Sequence, residues 1–406
     1  MGILKNEDSC PDFKIISNLE LFTVMPVDKS IPDGILRREM FKRRHEAVFV
    51  FRKWKGGRDF MKCAVFTAPY HFEIKEREIP EPKPGEVLVA VKSVGICGSD
   101  IHPYQGDGIE RRQPGIIMGH EAAGIVSAVG AGLTRWKPGD RVAVNPQISC
   151  GSCEMCRKSY YNLCENMLLI GSSMRRFLDG AMCEYLIIGQ AQLYALPDSV
   201  NFDCGTLLDP LGNAVHLINR AGVRLGDTVA VIGMGTIGLL AVQTARLAGA
   251  AFVIALDRKE KKLQIAKEVG ADAVLNMTEP VVVDRLKGLT QGRGADIVVE
   301  SAGVGATYNL AMQMVKKRGT VIGLGFAQPE IEFSLRPFIY NEINFLGSTG
   351  YASECETTLA LLATGSVKTD RIITHTFPLK EVNEAFQTLC NPESDAIKVI
   401  LHPSES

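Results

Sequence analysis

The sequence predicts an α/β protein with two folded domains: a doubly wound parallel sheet and a second, strand-rich domain. Three observations carry this expectation. From about Leu225 short apolar strands alternate with apolar helices, the rhythm of a parallel sheet. Between Met61 and about Cys204 the chain consists instead of short β-rich runs broken by Pro-Gly turns. The length, 406 residues, favours two hydrophobic cores over one.

Residues 1–60 fit neither pattern. They mix polar and apolar residues without a clear period and turn basic between Arg37 and Arg58. Glu7, Asp8 and Asp12 argue against a transit peptide. The stretch reads as an N-terminal extension, poorly ordered and with little core. It lacks the aromatic ladder of a nucleic-acid arm. At Met61-Lys62-Cys63-Ala64-Val65-Phe66 the text changes to a first strand. Further strands are expected over 86–91 and 123–129, with turns at Pro84-Gly85 and Pro138-Gly139. In the second half strands are expected at 228–232, 252–256, 272–275, 296–300 and 319–323. Helices run from Thr236 to Ala248 and from Lys259 to Val269. From about Gly347 the chain returns to mixed elements.

The bulk numbers exclude several classes. Hydrophobic residues make up 46% and charged residues 22%, as in ordinary globular proteins. A net charge of −1 offers no basic surface for nucleic acid or a membrane. No apolar run reaches the roughly 18 residues that a transmembrane helix needs. The eleven cysteines do not suggest secretion, because no signal peptide is evident and four of them cluster at metal spacing. A reducing cytoplasm is the expected compartment.

Gly233-Met234-Gly235-Thr236-Ile237-Gly238 follows the strand Thr228-Val229-Ala230-Val231-Ile232 and opens a helix, the context a dinucleotide loop requires. Gly233 permits the tight turn. Gly235 lets the backbone approach a pyrophosphate, and Gly238 lets helix and strand pack closely. Thr236 and Ile237 start the helix whose N-terminus favours the phosphate charge. Asp257 ends the second strand, 19 residues after Gly238. A carboxylate there accepts the ribose hydroxyls of NAD and repels a 2′-phosphate. Arg258, which follows at once and leaves room for NADP, and Lys262 complete the expected cofactor contacts.

Two further motifs have metal-ligand spacing. Cys150, Cys153, Cys156 and Cys164 form C-x2-C-x2-C-x7-C. Four thiolates close the coordination of Zn²⁺ and make a structural site; a redox pair is the weaker alternative. The other set is Cys97 in Cys97-Gly98-Ser99-Asp100-Ile101-His102 with His120 and Glu121 in Gly119-His120-Glu121. One thiolate, one imidazole and a carboxylate or water leave an exchangeable position, as a catalytic zinc requires. Asp100 is a candidate to fix the tautomer of His120.

On these residues, from Met61 to the end, the chain resembles the zinc-dependent medium-chain alcohol dehydrogenases, and among them the sorbitol (polyol) and threonine dehydrogenase branch. The resemblance implies a Rossmann doubly wound sheet over 210–346, binding NAD. It implies a GroES-like catalytic zinc domain over 61–209 plus 347–406, and two zinc ions, one catalytic and one structural. The family's zinc cysteine falls on Cys97, its proton-relay hydroxyl on Ser99 and the relay histidine of some members on His102. Its remaining zinc-site position falls on Asp209, in a segment resembling threonine dehydrogenases; the fourth ligand stays open between Glu121, Asp209 and water. Substrate-pocket positions fall on Ser99, Tyr104, Gln147, Asp209 and Tyr351. Two departures stand out: Gln147 replaces a His of the threonine branch, and Gly350 replaces an Arg of the sorbitol branch. The implied activity is NAD-dependent oxidation of a small polar secondary alcohol to a ketone by a homodimer or homotetramer. The alternatives are threonine dehydrogenase-type oxidation of a hydroxy amino acid, a zinc-free reductase, and a non-catalytic NAD-binding protein.

Overall fold

Six parallel strands, Thr228–Ile232, Phe252–Asp257, Ala273–Asn276, Ala295–Glu300, Val315–Gly323 and Asn344–Gly347, form one sheet. Numbered along the chain, they stand in the order 3-2-1-4-5-6, the doubly wound arrangement with its switch point between the first and fourth strands. Val229–Ile232 and Val253–Leu256 are completely buried, which is why they read as continuous apolar runs and not as alternating ones. The computed structural model describes residues 60–404 apart from Phe326 and Pro329. The extension expected over 1–60 lies outside them, save for Phe60.

The five expected strands are present within a few residues. The fifth starts earlier, at Val315. Its register with Ala295–Glu300 is irregular, and Arg318 takes a positive φ of 58°; the polar run Lys316-Lys317-Arg318 masks the strand. The sixth, Asn344–Gly347, was not foreseen: it is four residues long, on the sheet edge and largely exposed. The helix Leu208–Ala221 tolerates Pro210 in its first turn and stops at Gly222 in the left-handed conformation. It packs in the same core as Val229, Val231 and the helix Cys355–Ala363. The expected boundary between residues 209 and 210 therefore falls within one helix turn.

The second sheet has seven strands. Its central strand Glu86–Gly95 pairs antiparallel with Glu121–Val129, with Tyr185–Gly189 and with the C-terminal strand Lys398–His402. Ile373–Pro378 extends it beyond Lys398–His402. The C-terminal strand thus joins strands made some three hundred residues earlier in one sheet around a core of Val89, Val126, Leu186 and Val399.

Candidate active site and metal centres

Strand register assembles the first metal set. Gly95 pairs with Glu121 across the two central strands. Cys97, two residues beyond Gly95, caps the helix Gly98–Tyr104, so its thiol arrives beside His120 and Glu121. The ligand atoms of the three lie within 4.8 Å of one another. Gly119 holds a φ of +88° that an L-residue resists, and a Cβ there would meet Met182 at 2.8 Å. His120 and Glu121 are buried. A thiolate, an imidazole and a carboxylate at this spacing fit one zinc ion with a position to spare.

Behind His120, Asp100 Oδ1 lies 3.6 Å from Nδ1 and 3.3 Å from Arg112 Nε, while Oδ2 accepts the Cys97 N–H at 3.2 Å. Burial alone would raise the Asp100 carboxyl, but His120, Arg112 and the Cys97 N–H hold it down at about 2. Behind Glu121 stands Lys398, whose Nζ pairs with Glu121 Oε2 and donates to the Ile96 carbonyl at 3.0 Å. Both members of this pair are buried. A Cβ at Gly95 would overlap the Glu121 carboxylate, so glycine makes room for it. Lys398 was missed from the sequence; its signal was a lone charge inside Ala396-Ile397-Lys398-Val399-Ile400-Leu401.

Asp209 is not among the three clustered ligands. It sits alongside: burial pushes its carboxyl up to about 6, with Glu121 also raising it and His120 and Lys398 lowering it. Tyr351, also buried, donates its hydroxyl to Asn145 Oδ1 at 3.3 Å, and its ring lies over Gly212. Gln147 Nε2 donates to the Tyr351 carbonyl at 3.2 Å. Asp209, Gln147 and Tyr351 are thus brought together, with Asn145 added. Tyr104 is not: it stacks on Phe72 at 5.8 Å and against Phe386 at 4.7 Å, inside the apolar core. This corrects its assignment to the substrate pocket, because full burial among aromatic rings is a packing environment. Ser99 is half-buried on the helix Gly98–Tyr104. His102, on the same helix, is 38% exposed, with Nδ1 3.8 Å from Asp107 Oδ2.

The four-cysteine set is also gathered within 4.8 Å. Cys150 and Cys156 sulfurs are 4.0 Å apart, as are those of Cys153 and Cys164; the edge of a Zn–S tetrahedron with 2.3 Å bonds is about 3.8 Å. Backbone N–H groups point at the sulfurs: Cys150 to Cys164 at 3.2 Å, Cys153 to Cys150 at 3.3 Å, and Asn166 to Cys164 at 3.3 Å. The N–H groups of Ser152 and Cys153 bring the Cys150 thiol down to about 5, so a thiolate forms readily for a metal.

At the switch point Gly233 takes a φ of +93°, and a Cβ at Gly238 would overlap the Gly233 carbonyl oxygen. Gly235 caps the helix Thr236–Leu247 and has open space in front of it. The Thr236 hydroxyl donates to the Ile397 carbonyl at 2.9 Å, so its backbone N–H is what it offers a phosphate, and Ile237 is half-buried beside it. Asp257 accepts the Met234 N–H at 2.7 Å and the Lys259 N–H at 2.9 Å. Its carboxylate is therefore fixed at the rim of the glycine loop. Arg258 is exposed. Burial lowers the Lys262 ammonium, Lys259 and Arg258 lower it further, and Asp257 opposes them. The loop, the helix end and the carboxylate fit an adenine dinucleotide.

Residues 83–198 match the family described as alcohol dehydrogenase GroES-like domain, and residues 236–364 the family described as zinc-binding dehydrogenase. The chain is 33% identical over 348 residues to a sorbitol dehydrogenase of Bacillus subtilis, covering 85% of this chain and 98% of that one. It is 36% identical over 335 residues to the sorbitol dehydrogenase of Gallus gallus, covering 81% and 92%. A short chain alcohol dehydrogenase of E. coli solved with NADH superposes with a TM-score of 0.78 at 29% identity, over 85% of this chain and all of that one. The chain belongs to the zinc-dependent medium-chain alcohol dehydrogenases, enzymes that act on alcohols and polyols with zinc and a nicotinamide dinucleotide. Among the described residues no helix is long and apolar enough to cross a membrane.

Proposed function

We propose that this enzyme oxidises a small polyhydroxylated secondary alcohol to a ketone, with hydride passing to NAD in a reducing cytoplasm. The observation that carries the substrate class is the polar wall of Asp209, Asn145, Gln147 and Tyr351 beside Cys97, His120 and Glu121. Such a wall offers further substrate hydroxyls hydrogen-bond partners, worth about 0.5–1.5 kcal/mol each, that an apolar alcohol cannot use. The likeness to sorbitol dehydrogenases supports the same class. We assign residues 61–209 with 347–406 to the zinc domain and 210–346 to the cofactor domain, with the substrate between them.

Cys97, His120 and Glu121 would hold the catalytic zinc, and Cys150, Cys153, Cys156 and Cys164 the structural one. Zinc and NAD, when bound, supply the Lewis acidity that eases ionisation of the substrate hydroxyl and the acceptor for its hydride. Asp100 orients the His120 ring. Ser99 would relay the released proton, its hydroxyl accepting it while donating its own onward, with His102, exposed on the same helix, passing a proton to water. Asp257 selects NAD over NADP by accepting the ribose hydroxyls and repelling a 2′-phosphate. The test is NAD reduction with D-sorbitol, xylitol, 2,3-butanediol, L-threonine and the primary alkanols. A polyol or diol should have the highest kcat/KM; leadership by threonine or by an alkanol would overturn the substrate class.

A further inference from the structure

We propose that the four-cysteine lobe holds the segment 348–354 through a latch of Asn162, His216 and Glu354, making these three positioning residues for the alcohol substrate. The proposal rests on the reading of Tyr351 and Asp209 as the polar wall beside the metal set. Asn162 lies two residues before Cys164, on the lobe. Its Nδ2 donates to the Thr349 carbonyl at 2.8 Å and stands 3.3 Å from His216 Nε2. His216, on the helix Leu208–Ala221, places Nδ1 2.8 Å from Glu354 Oε1. Glu354 Oε2 accepts the N–H groups of Ala352 and Ser353, each at 2.8 Å. The segment is therefore gripped on both sides of Tyr351.

The chain of partners determines every proton in it. A carbonyl oxygen accepts only, so the amide of Asn162 must face Thr349 and donate. Its second N–H then points at His216 Nε2, which must accept. The imidazole proton is left on Nδ1 and is donated to Glu354. Burial raises the Glu354 carboxyl, but His216 and the two backbone N–H groups outweigh it and leave the group below its ordinary range. Gly350, with φ at +55°, presses so close that a Cβ would meet Gln147 Oε1 at 2.6 Å and Asn162 Cβ at 3.4 Å. Lobe, loop and pocket wall are one contact surface. The lobe does no chemistry itself, yet through Asn162 its shape sets where Tyr351 stands beside Asp209.

The test compares Asn162→Ala and the isosteric Asn162→Asp with the wild-type full-length enzyme. A side chain that merely fills space would be replaced faithfully by Asp; one that must donate to Thr349 would not, because a carboxylate faces that carbonyl with like partial charge. Both variants should keep the wild-type zinc content, exchange the backbone amides of 348–354 faster in hydrogen–deuterium exchange, and raise the KM for D-sorbitol. The rise should be about fivefold, the equivalent of about 1 kcal/mol for one lost hydrogen bond. The kcat and the KM for NAD should stay within about twofold. His216→Ala should reproduce the effect and, combined with Asn162→Ala, add nothing further. An Asn162→Asp enzyme with wild-type KM and exchange, or an Asn162→Ala enzyme with faster exchange but unchanged KM, would overturn the latch. If the wild type oxidises a different alcohol, the substrate class falls, and the same comparison on that alcohol still decides the latch.

Discussion

Cys97, His120 and Glu121 converge because one strand register and one helix cap place them there, and two charges behind them, Asp100 and Lys398, hold the imidazole and the carboxylate. Cys97→Ala and His120→Ala should each lower turnover by about 10³-fold or more, since Lewis-acid catalysis supplies several kcal/mol, while the far-ultraviolet circular dichroism stays that of the wild type. Wild-type turnover in Cys97→Ala would refute the ligand assignment. In the zinc-free protein, where no metal offsets Glu121, Lys398→Met strands a buried carboxylate and should cost about 3–5 kcal/mol of unfolding free energy in denaturant titration; a cost within about 0.5 kcal/mol would mean the pair is not formed. Asp257→Ala would remove the proposed ribose acceptor and the proposed repelling charge together. The ratio of kcat/KM for NADP to that for NAD should rise by about tenfold, or about 1.4 kcal/mol, and a wild-type preference for NADP would contradict the role. The clustering of Cys97, His120 and Glu121, that of the four cysteines, and the glycine-loop turn were legible because metal and phosphate chemistry need particular residue types at short spacings. Lys398 and Asn145 were not, because their partners lie far along the chain: Lys398 meets Glu121 only when the last strand pairs with Glu86–Gly95.

Among the elements, the lobe of residues 150–164 and the C-terminal strand are held in different ways. The lobe has little apolar core, with Tyr160, Tyr161 and Leu163 exposed; on the proposed reading a metal held by its four cysteines would stabilise it. Cys153→Ala should lose one zinc per chain and make the lobe the first region cut in limited proteolysis; full metal content would contradict this. The C-terminal strand is tied by Asp203, which accepts from Ser93 Oγ at 2.6 Å and pairs with His402 Nε2 at 2.8 Å. Burial raises the Asp203 carboxyl, but His402 and Ser93 bring it below 3.8. A depressed carboxyl stabilises the fold above its unfolded pKa, and that stability is lost as pH falls through the folded value. Asp203→Asn should therefore lower stability at pH 7 and converge on the wild type as pH falls through and below the ordinary carboxylate range; a constant difference in melting temperature across that range would contradict the assignment. The buried strands of the parallel sheet were readable as apolar runs, whereas Asn344–Gly347 was not, since a four-residue edge strand carries no period. Tyr104 misled because its place in the pocket came from the resemblance alone, and a family position does not say which side of a helix turn meets the core.

In the whole molecule, one sheet carries the glycine-rich loop and the other carries the Cys97, His120 and Glu121 cluster, with the four-cysteine cluster in a lobe between strands of the latter. The strand–helix rhythm foretold the first sheet, and the returning tail was readable only as mixed elements, because Ile373–Pro378 and Lys398–His402 become strands through partners made hundreds of residues earlier or directly beside them. The two metal sets share no residue, so they should fill independently and serve different ends. The most direct measurement is the zinc content of the purified, fully active enzyme by elemental analysis. Close to two zinc ions per chain are expected; a reproducible value near one at full activity would contradict the two-site assignment.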